Sequence, residues 1–574
     1  MKRTLAPALL ALVLLVLAVT PALAQVPAPK VTITGLFDQV TAAGRNFYDA
    51  NFSRDNDREW YARTRFRPDF EFAVGRTKAV LGIELDLGYG QMGSNDGGFP
   101  GNNSGQTGGN AGGCKANTSG CLDINTDVAG LFEIKWIYTE FDLTGKDSLM
   151  PFIPVLTVAR LGGQPWATLA GYKTAAYANG DFAGVSTITT FTPDVKLAFA
   201  YAIVEDQLAG GNRLPVVTAG STATTQNRQS RGEDYAFIIS PEFTPFKGLD
   251  LKPMFSWFHA DGLTSTNARR NAFNLRTIGN AMNGAGAYAG TNTGLALGSA
   301  GGDSTLHEER KTVGLDARWR IGAFGLDPTV SYQWGSYETQ AQKTNGGVGK
   351  VTGDASAWLF DAIASYQLGP LLLEARGTYS TGNKARDNLS RGKRYYEPLD
   401  LDTGFWSGGW LGILGLGVDY FNGGGPTNQG MDTNVGYDRY GRGSFAFRAT
   451  YSLTPSLSFY GVVSPNWSAE KVDTNTGCNN SATAQTVASA ATGCPSRLAI
   501  PGAPSFAQGD SNYLGTEVNG GFTWRFAPNA AFDLAGYYLF AGSALDMAEN
   551  LNGVVVKRDA RDGYYAAARV RLSF

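Results

Sequence analysis

Arginines recur at alternate positions in two short stretches of this sequence. The stretches are EWYARTRFRPDFEFAVG, residues 59–75, and YYAAARVRLSF, residues 564–574. Neighbouring side chains of an extended strand point to opposite faces, so the arginines of each stretch share one face and apolar residues fill the other. A row of guanidinium groups facing water generates a field that attracts anions. The candidate residues for such a field are Arg63, Arg65, Arg67, Arg525, Arg569 and Arg571.

The sequence offers little for catalysis or metal binding. It has two histidines, His259 and His307, and neither lies near a cysteine in sequence. It contains no G-x-S-x-G elbow and no H-E-x-x-H motif. We therefore predict no enzymatic activity, no catalytic residue, no metal site and no cofactor. Calcium could bind the segment SNDGG at residues 94–98 through carboxylates and carbonyls, although such segments are more often plain loop.

The elements that must carry the arginines are strands joined by short turns. Proline and glycine mark eight turns, at residues 74–77, 145–154, 191–194, 243–248, 320–325, 367–370, 453–456 and 526–529. These turns join sixteen strands, and the run KVTITGLFDQV at 30–40 and the C-terminal run bring the count to eighteen. The alternatives are sixteen or twenty strands, since the apolar segment 405–421 could add a hairpin. We keep that segment in a loop because it has no clear alternation.

Composition and alternation together predict an all-β fold, a transmembrane antiparallel β-barrel with short turns at one end and long loops at the other. After residue 24, no stretch approaches the roughly 20 apolar residues that a spanning helix needs. A chain that spans a membrane without such a helix must close into a barrel. Aromatic residues gather beside the turns, where interfacial girdles lie; they are Phe191, Phe243, Tyr366, Tyr451 and Phe526. A soluble β-sandwich, which also alternates, is the alternative.

The N-terminal segment is typical of a secretory signal peptide. Lys2 and Arg3 precede an apolar run, and Ala22-Leu23-Ala24 forms a small-residue cleavage site. We predict cleavage near Ala24, so that residues 1–24 are removed and residues 25–574 form the barrel. The net charge of −2 indicates no nucleic-acid partner.

Over nearly the whole chain, the sequence resembles the bacterial outer-membrane porin-type β-barrel superfamily. The features that carry the resemblance are the terminal Phe574, the alternating residues before it, the regular succession of hairpins and the signal peptide. The resemblance identifies no single branch. It implies residence among the lipids of the outer membrane, recognition of Phe574 by the barrel-assembly machinery, and a homotrimer. It also implies that the third loop, residues 162–181 with Lys173, folds into the pore. The loop lacks a carboxylate before Asp181, unlike that of general porins, and an ordinary surface loop is the alternative.

The same resemblance implies a porin that lets small hydrophilic solutes or ions diffuse passively through a water-filled pore. The arginine row and Lys173 favour a weak anion preference. The alternative is that the arginines are paired charges that keep the wall polar. Two further function classes stay open: a solute-specific channel or exporter of the same fold, and a structural or adhesion barrel that acts through its surface loops.

The four cysteines predict two local disulfides, Cys114–Cys121 and Cys478–Cys494, because each pair lies within one polar loop segment of an exported chain. Replacing either pair with serine should leave conductance through the barrel unchanged, since these bridges would close loops and not the wall. Peptide mass spectrometry of the non-reduced protein checks the pairing. Free thiols, or a bridge between the two loop segments, would contradict it.

Overall fold

The structure, a computed structural model, describes the strands and part of the connections between them. The described residues are 28–46, 58–89, 132–167, 177–206, 233–261, 305–342, 348–384, 392–401, 410–414, 440–472, 509–551 and 554–574. All four cysteines, Lys173, the segment 94–98 and residues 1–24 lie outside these ranges, so the disulfides, the calcium loop and the signal peptide stay predictions. Within the described ranges, no helix is long and apolar enough to cross a membrane.

Eighteen strands form the wall of a single closed barrel. They are β1 (Lys30–Arg45), β2 (Arg58–Val74), β3 (Thr77–Tyr89), β4 (Phe132–Thr144), β5 (Leu156–Ala167), β6 (Ala178–Thr192), β7 (Val195–Asp206), β8 (Glu233–Phe246), β9 (Leu249–Asp261), β10 (Thr305–Ile321), β11 (Phe324–Gln342), β12 (Val348–Leu368), β13 (Leu371–Ser380), β16 (Arg442–Thr454), β17 (Leu457–Val472), β18 (Ser511–Ala527), β19 (Ala530–Ala541) and β22 (Gly563–Ser573). The chain also contains β14 (Gly392–Lys393), β15 (Asp400–Leu401), β20 (Met547–Leu551) and β21 (Val554–Arg558). β20 and β21 form a separate two-stranded sheet.

The barrel closes where the last strand meets the first. β22 pairs antiparallel with β19 on one side and with β1 on the other, and Asp38 of β1 lies opposite Arg571. The terminal residue completes the seam: the Gly35 N–H donates to the Phe574 carbonyl at 2.8 Å, and the Phe574 N–H donates to the Gly35 carbonyl at 3.1 Å. The Phe574 ring stacks on Phe66 of β2 at 6.0 Å between centroids. The sheet of the wall therefore has no free edge.

All eight short turns lie where the sequence predicts them, and the predicted count of eighteen wall strands is confirmed. Glycine explains part of this agreement. Gly75, between β2 and β3, has a φ of 61°, and Gly369, between β12 and β13, has a φ of 55°. A left-handed backbone of this kind favours glycine, so the sequence itself marks the turn.

The outer face of the wall is apolar. Large hydrophobic side chains on it stay exposed, such as Ile137 at 58% and Phe447 at 51% of their surface. A soluble protein rarely exposes contiguous apolar surface on this scale, so this outer belt is that of a transmembrane barrel and the β-sandwich alternative is wrong. At the turn end, Phe191, Tyr366, Tyr451 and Phe526 are exposed as predicted for a girdle, while Phe243 is half-buried.

Replacing Phe574 with serine should reduce the amount of assembled barrel in cells far more than it reduces the stability of the purified barrel. The lost stacking on Phe66 costs about 1 kcal/mol, whereas we expect the terminal aromatic to be recognised during assembly. Heat-modifiable migration of membrane fractions measures assembly, and urea unfolding of refolded barrel measures stability. Phe526→Ser, which removes an exposed girdle aromatic elsewhere, is the matched control. Equal assembly of both variants would contradict the prediction.

Candidate functional site in the barrel lumen

A segment between β13 and β16 enters the lumen. Its residues 392–401, which we call the strap, reach two distant parts of the wall. At one end β14 pairs in parallel with β12, with Gly392 opposite Asp354. At the other end β15 pairs in parallel with β6, with Asp400 opposite Ala178. The strap therefore lies inside the barrel along the arc of wall from β12 to β6, on the side that leads to the long loops.

A buried ionic cluster holds the strap to β10. The Arg310 Nη1 lies 2.8 Å from the Glu308 Oε1 and 2.6 Å from the Glu397 Oε2 of the strap. The Lys393 Nζ, also of the strap, lies 3.4 Å from Glu308 and 3.8 Å from Glu397. Removing any member would leave an uncompensated charge in a buried place, which is strongly unfavourable. The cluster therefore fixes the strap in one position.

Neutral hydrogen bonds complete the attachment. The Gln333 side chain of β11 donates to the Glu397 carbonyl at 2.7 Å and accepts from the Glu397 N–H at 2.9 Å. The Leu399 N–H donates to the Tyr177 carbonyl at 2.8 Å, and the Tyr177 hydroxyl donates to Ser256 of β9 at 2.7 Å. Burial raises the pKa of the Tyr396 hydroxyl beside them.

A second short piece, residues 410–414, docks on the opposite part of the wall. The Glu517 carboxylate of β18 accepts hydrogen bonds from the backbone N–H groups of Gly412, Ile413 and Leu414, the last two at 3.0 Å. The Arg442 Nη2 donates to the Leu414 carbonyl at 2.5 Å. A wall carboxylate bound by successive backbone N–H groups acts as an anchor, because charge-assisted hydrogen bonds are stronger than neutral ones. This piece belongs to the segment 405–421 that we place in a loop.

Between these two pieces, a packed apolar core extends across the lumen. It joins inward-facing residues of β1, β19 and β22, such as Val40, Leu539 and Tyr565, to residues 411–414, to the strap and to β6–β9. Among the described residues, β2, β3 and β4 contribute no member. Their inner face is charged instead. This charged face continues on β5. It borders the part of the lumen that the apolar core does not fill.

On this charged face the predicted arginines are paired with carboxylates. The Arg65 Nη2 lies 2.9 Å from the Glu84 Oε1, and the Arg67 Nε lies 2.9 Å from the Glu84 Oε2 of β3. Asp38 of β1 stands opposite both Arg65 of β2 and Arg571 of β22 in the strand register. The arginines of β2 and β22 therefore lie on one arc of the wall, around β1.

The arginines of the last strand share one carboxylate. The Arg569 Nε lies 3.1 Å from the Asp533 Oδ2, and the Arg571 Nε lies 2.9 Å from the same oxygen. Arg525 lies apart from this arc, exposed at the turn between β18 and β19. The structure places the backbone of Arg63 opposite Val40, but its side chain lies outside the described part, as does Lys173.

The predicted third loop is described only at its ends. Residues 162–167 belong to β5 and residues 178–181 to β6, so these parts lie in the wall. Tyr177 is fully buried in the lumen beside the strap. The remainder, residues 168–176, lies outside the described ranges, so an inward fold of this loop stays a prediction. No local pattern in the sequence predicts that residues 392–401 enter the lumen.

Both histidines lie together on the outer face, near the loop end of the wall. The His259 Nδ1 lies 2.5 Å from the Glu309 Oε1, the His307 ring is 5.4 Å from the His259 ring, and Tyr235 stacks on His259 at 4.9 Å. Their spacing of 48 residues in the sequence does not predict that they meet. Among the described residues, no three or more His, Cys, Asp or Glu side chains form a group that could hold a metal ion.

The fold and this lumen are those of a transmembrane β-barrel. Solved structures with a similar chain path include Pseudomonas aeruginosa OccK8 (OprE), at 10% identity and a TM-score of 0.41 over 95% of this chain and 98% of that one. Acinetobacter baumannii OccAB1 has 9% identity and a TM-score of 0.41 over 95% and 97%. P. aeruginosa OccK11 (OpdR) has 8% identity and a TM-score of 0.38 over 95% and 96%. No family model and no curated protein sequence matches the chain.

Replacing Arg310 with methionine should release the strap while the wall stays folded. The change leaves Glu308 and Glu397 facing each other with Lys393 alone, which costs about 3–5 kcal/mol. Amide hydrogen exchange of residues 392–401 should then become faster. Arg394→Met is the matched control, because its pair with Asp354 is 41% and 63% exposed and contributes about 0–1 kcal/mol. Equal exchange in the two variants would show that the cluster does not hold the strap.

Proposed function

We propose that this chain is a porin of the bacterial outer membrane, through which small hydrophilic solutes or ions diffuse passively in a water-filled pore. One observation carries the proposal: a closed wall has an exposed apolar belt outside, and the inner face of β2–β5 is lined by charged residues. A wall that is apolar outward and charged inward suits a barrel that conducts water and solutes across a membrane.

The proposal includes the route to the membrane and the partners there. Cleavage near Ala24 and recognition of Phe574 by the barrel-assembly machinery would bring residues 25–574 to the outer membrane, where the belt contacts lipid. We carry the homotrimer over from the resemblance alone. No cofactor and no nucleic acid enter this proposal.

The weak anion preference remains part of the proposal, and the pairing of the arginines limits its size. Arg65 and Arg67 share Glu84, and Arg569 and Arg571 share Asp533. Each described carboxylate of this arc cancels part of the positive field. A modest excess of cations over carboxylates near the passage would therefore favour chloride only slightly.

A solute-specific channel of the same fold is the second candidate, and the strap favours it. The strap and the apolar core occupy part of the cross-section of the lumen and narrow the pore. A narrow pore selects solutes by contact with its wall more than an open pore does. A structural or adhesion barrel would act through its long loops, and conductance measurements separate it from both channels.

Reversal potentials across a KCl gradient in planar bilayers test the proposal. We expect the barrel to conduct and to pass chloride slightly more readily than potassium at 0.1 M salt, where the Debye length is about 10 Å. At 1 M the preference should vanish, because screening shortens that length to about 3 Å.

Neutral replacement of Arg63, Arg65 and Arg67 together should abolish the chloride preference, while Lys247→Gln, exposed at the turn between β8 and β9, serves as the control. A potassium preference at low salt would overturn the anion preference alone. A barrel that passes no ions would overturn the porin.

A further inference from the structure

An arrangement of three groups recurs inside the barrel. In each case an arginine lies over an aromatic ring and beside a carboxylate. The five sets are Arg310 with Phe258 and Glu308, Arg376 with Trp410 and Asp361, Arg67 with Trp136 and Glu84, Arg160 with Tyr138 and Glu140, and Arg448 with Tyr460 and Glu374. The guanidinium carbon lies 4.9–5.9 Å from the ring centre in these sets.

Exposure divides the five sets into two kinds. The side chains of Arg310 and Arg376 are each 5% exposed, and these two sets hold the strap and residue 410 to the wall. The side chains of Arg67, Arg160 and Arg448 are 26%, 32% and 24% exposed. Tyr460 packs against the apolar clusters that include residues from 410–414, whereas no described member of the Arg67 and Arg160 sets belongs to those clusters. They face the lumen instead.

The exposed arginines keep donors free. Arg67 uses its Nε toward Glu84 at 2.9 Å, and Arg160 uses its Nε toward Glu140 at 2.5 Å. Among the described residues, the terminal Nη groups of Arg160 have no hydrogen-bond partner. The carboxylate fixes each guanidinium from one side, and the ring supports it from another. The remaining N–H donors are therefore held in a defined orientation at the lumen surface.

The sets of Arg67 and Arg160 lie close together on neighbouring strands. They meet on β4, because the two rings, Trp136 and Tyr138, lie two residues apart and therefore on the same face of that strand. Trp136 and Tyr138 of β4 are half-buried, so each ring keeps some surface toward the lumen. This part of β2–β5 is the face that the apolar core leaves uncovered. Any solute that passes along it meets both sets.

We propose that these sets bind an uncharged, hydroxyl-rich ring, the chemistry of a small saccharide, during passage through the proposed pore. A hydroxyl both donates and accepts, so it matches a fixed N–H donor beside a carboxylate acceptor. The C–H face of such a ring packs on the exposed part of Trp136 or Tyr138, as apolar groups do on aromatic rings. An anion would meet Glu84 or Glu140 at the same place, and a cation would meet the arginine. The inference rests on the proposed porin function.

The full barrel in planar bilayers, titrated with glucose and separately with benzoate, tests the proposal. Glucose should reduce the ion current saturably, and benzoate at equal concentration should do so less. Arg160→Gln and Tyr138→Leu should each raise the half-blocking glucose concentration about fivefold, the effect of losing one good contact. Arg448→Gln makes the same change in the set that β16 carries, on another part of the wall. Arg76→Gln is the matched control: Arg76 pairs with Asp142 at a turn and has no ring under it among the described residues.

Heat-modifiable migration shows which variants form the barrel, so that a folding failure is recognised separately. Glucose block that stays unchanged in Arg160→Gln, Tyr138→Leu and Arg448→Gln would overturn the site. Block by benzoate in place of glucose would overturn the ligand class. In both cases the wild-type barrel still conducts, so the porin proposal stands. A wild-type barrel without conductance would overturn the porin and the site together.

Discussion

Hydrocarbon offers no partner to a backbone N–H or C=O, and the rest of this structure depends on that constraint. An unpaired group there costs several kcal/mol, so a membrane sheet has to close on itself. β22 meets this requirement by pairing with β1, and the Phe574 backbone pairs with Gly35 where β22 ends. Closure in turn fixes which side chains face outward, because side chains alternate between the two faces of a strand. The arginines of β2 and β22 face inward for this reason.

A wall of eighteen strands encloses more space than inward side chains alone fill. This barrel fills part of that space with its own chain. The strap and residues 410–414 bring apolar groups into a lumen whose opposite wall is charged, and they are held at a few buried carboxylates. Glu517 binds three backbone N–H groups, and Glu397 shares Arg310 with Glu308. An unpaired charge in a buried place is unfavourable in free energy. These contacts therefore hold the strap and residues 410–414 in one position.

Local sequence patterns predict the strands and turns of the wall. The structure inside the lumen depends on contacts between residues far apart in sequence, which local patterns do not show. The turns carry proline or glycine at the place where the chain reverses, as Gly75 and Gly369 do, and the faces of each strand follow from alternation. Nothing local marks the strap: its two strands have two residues each, and Lys393 reaches a partner 85 residues away in sequence. The sequence of β2 alone also does not show which carboxylate pairs with Arg65. Asp86 lies opposite Arg65 in the register, and an ion pair also joins Arg65 diagonally to Glu84.

Carboxylates pair with the described inward-facing arginines of β2, β5 and β22, and this pairing would change what the wall of the proposed pore does to a solute. A row of unpaired arginines acts at a distance through its field, and salt weakens that action within about 10 Å at 0.1 M. A guanidinium tied to Glu84 or Glu140 has little field left, but it keeps N–H donors whose direction is fixed. Such donors act at hydrogen-bond distance, where screening by salt is small. In the proposed pore, discrimination along β2–β5 would therefore depend more on the shape and hydrogen-bonding groups of the solute than on its charge. The same set of an arginine, an aromatic ring and a carboxylate holds an inserted segment to the wall when it is buried. When part of the set stays exposed, it presents hydrogen-bond donors to the lumen.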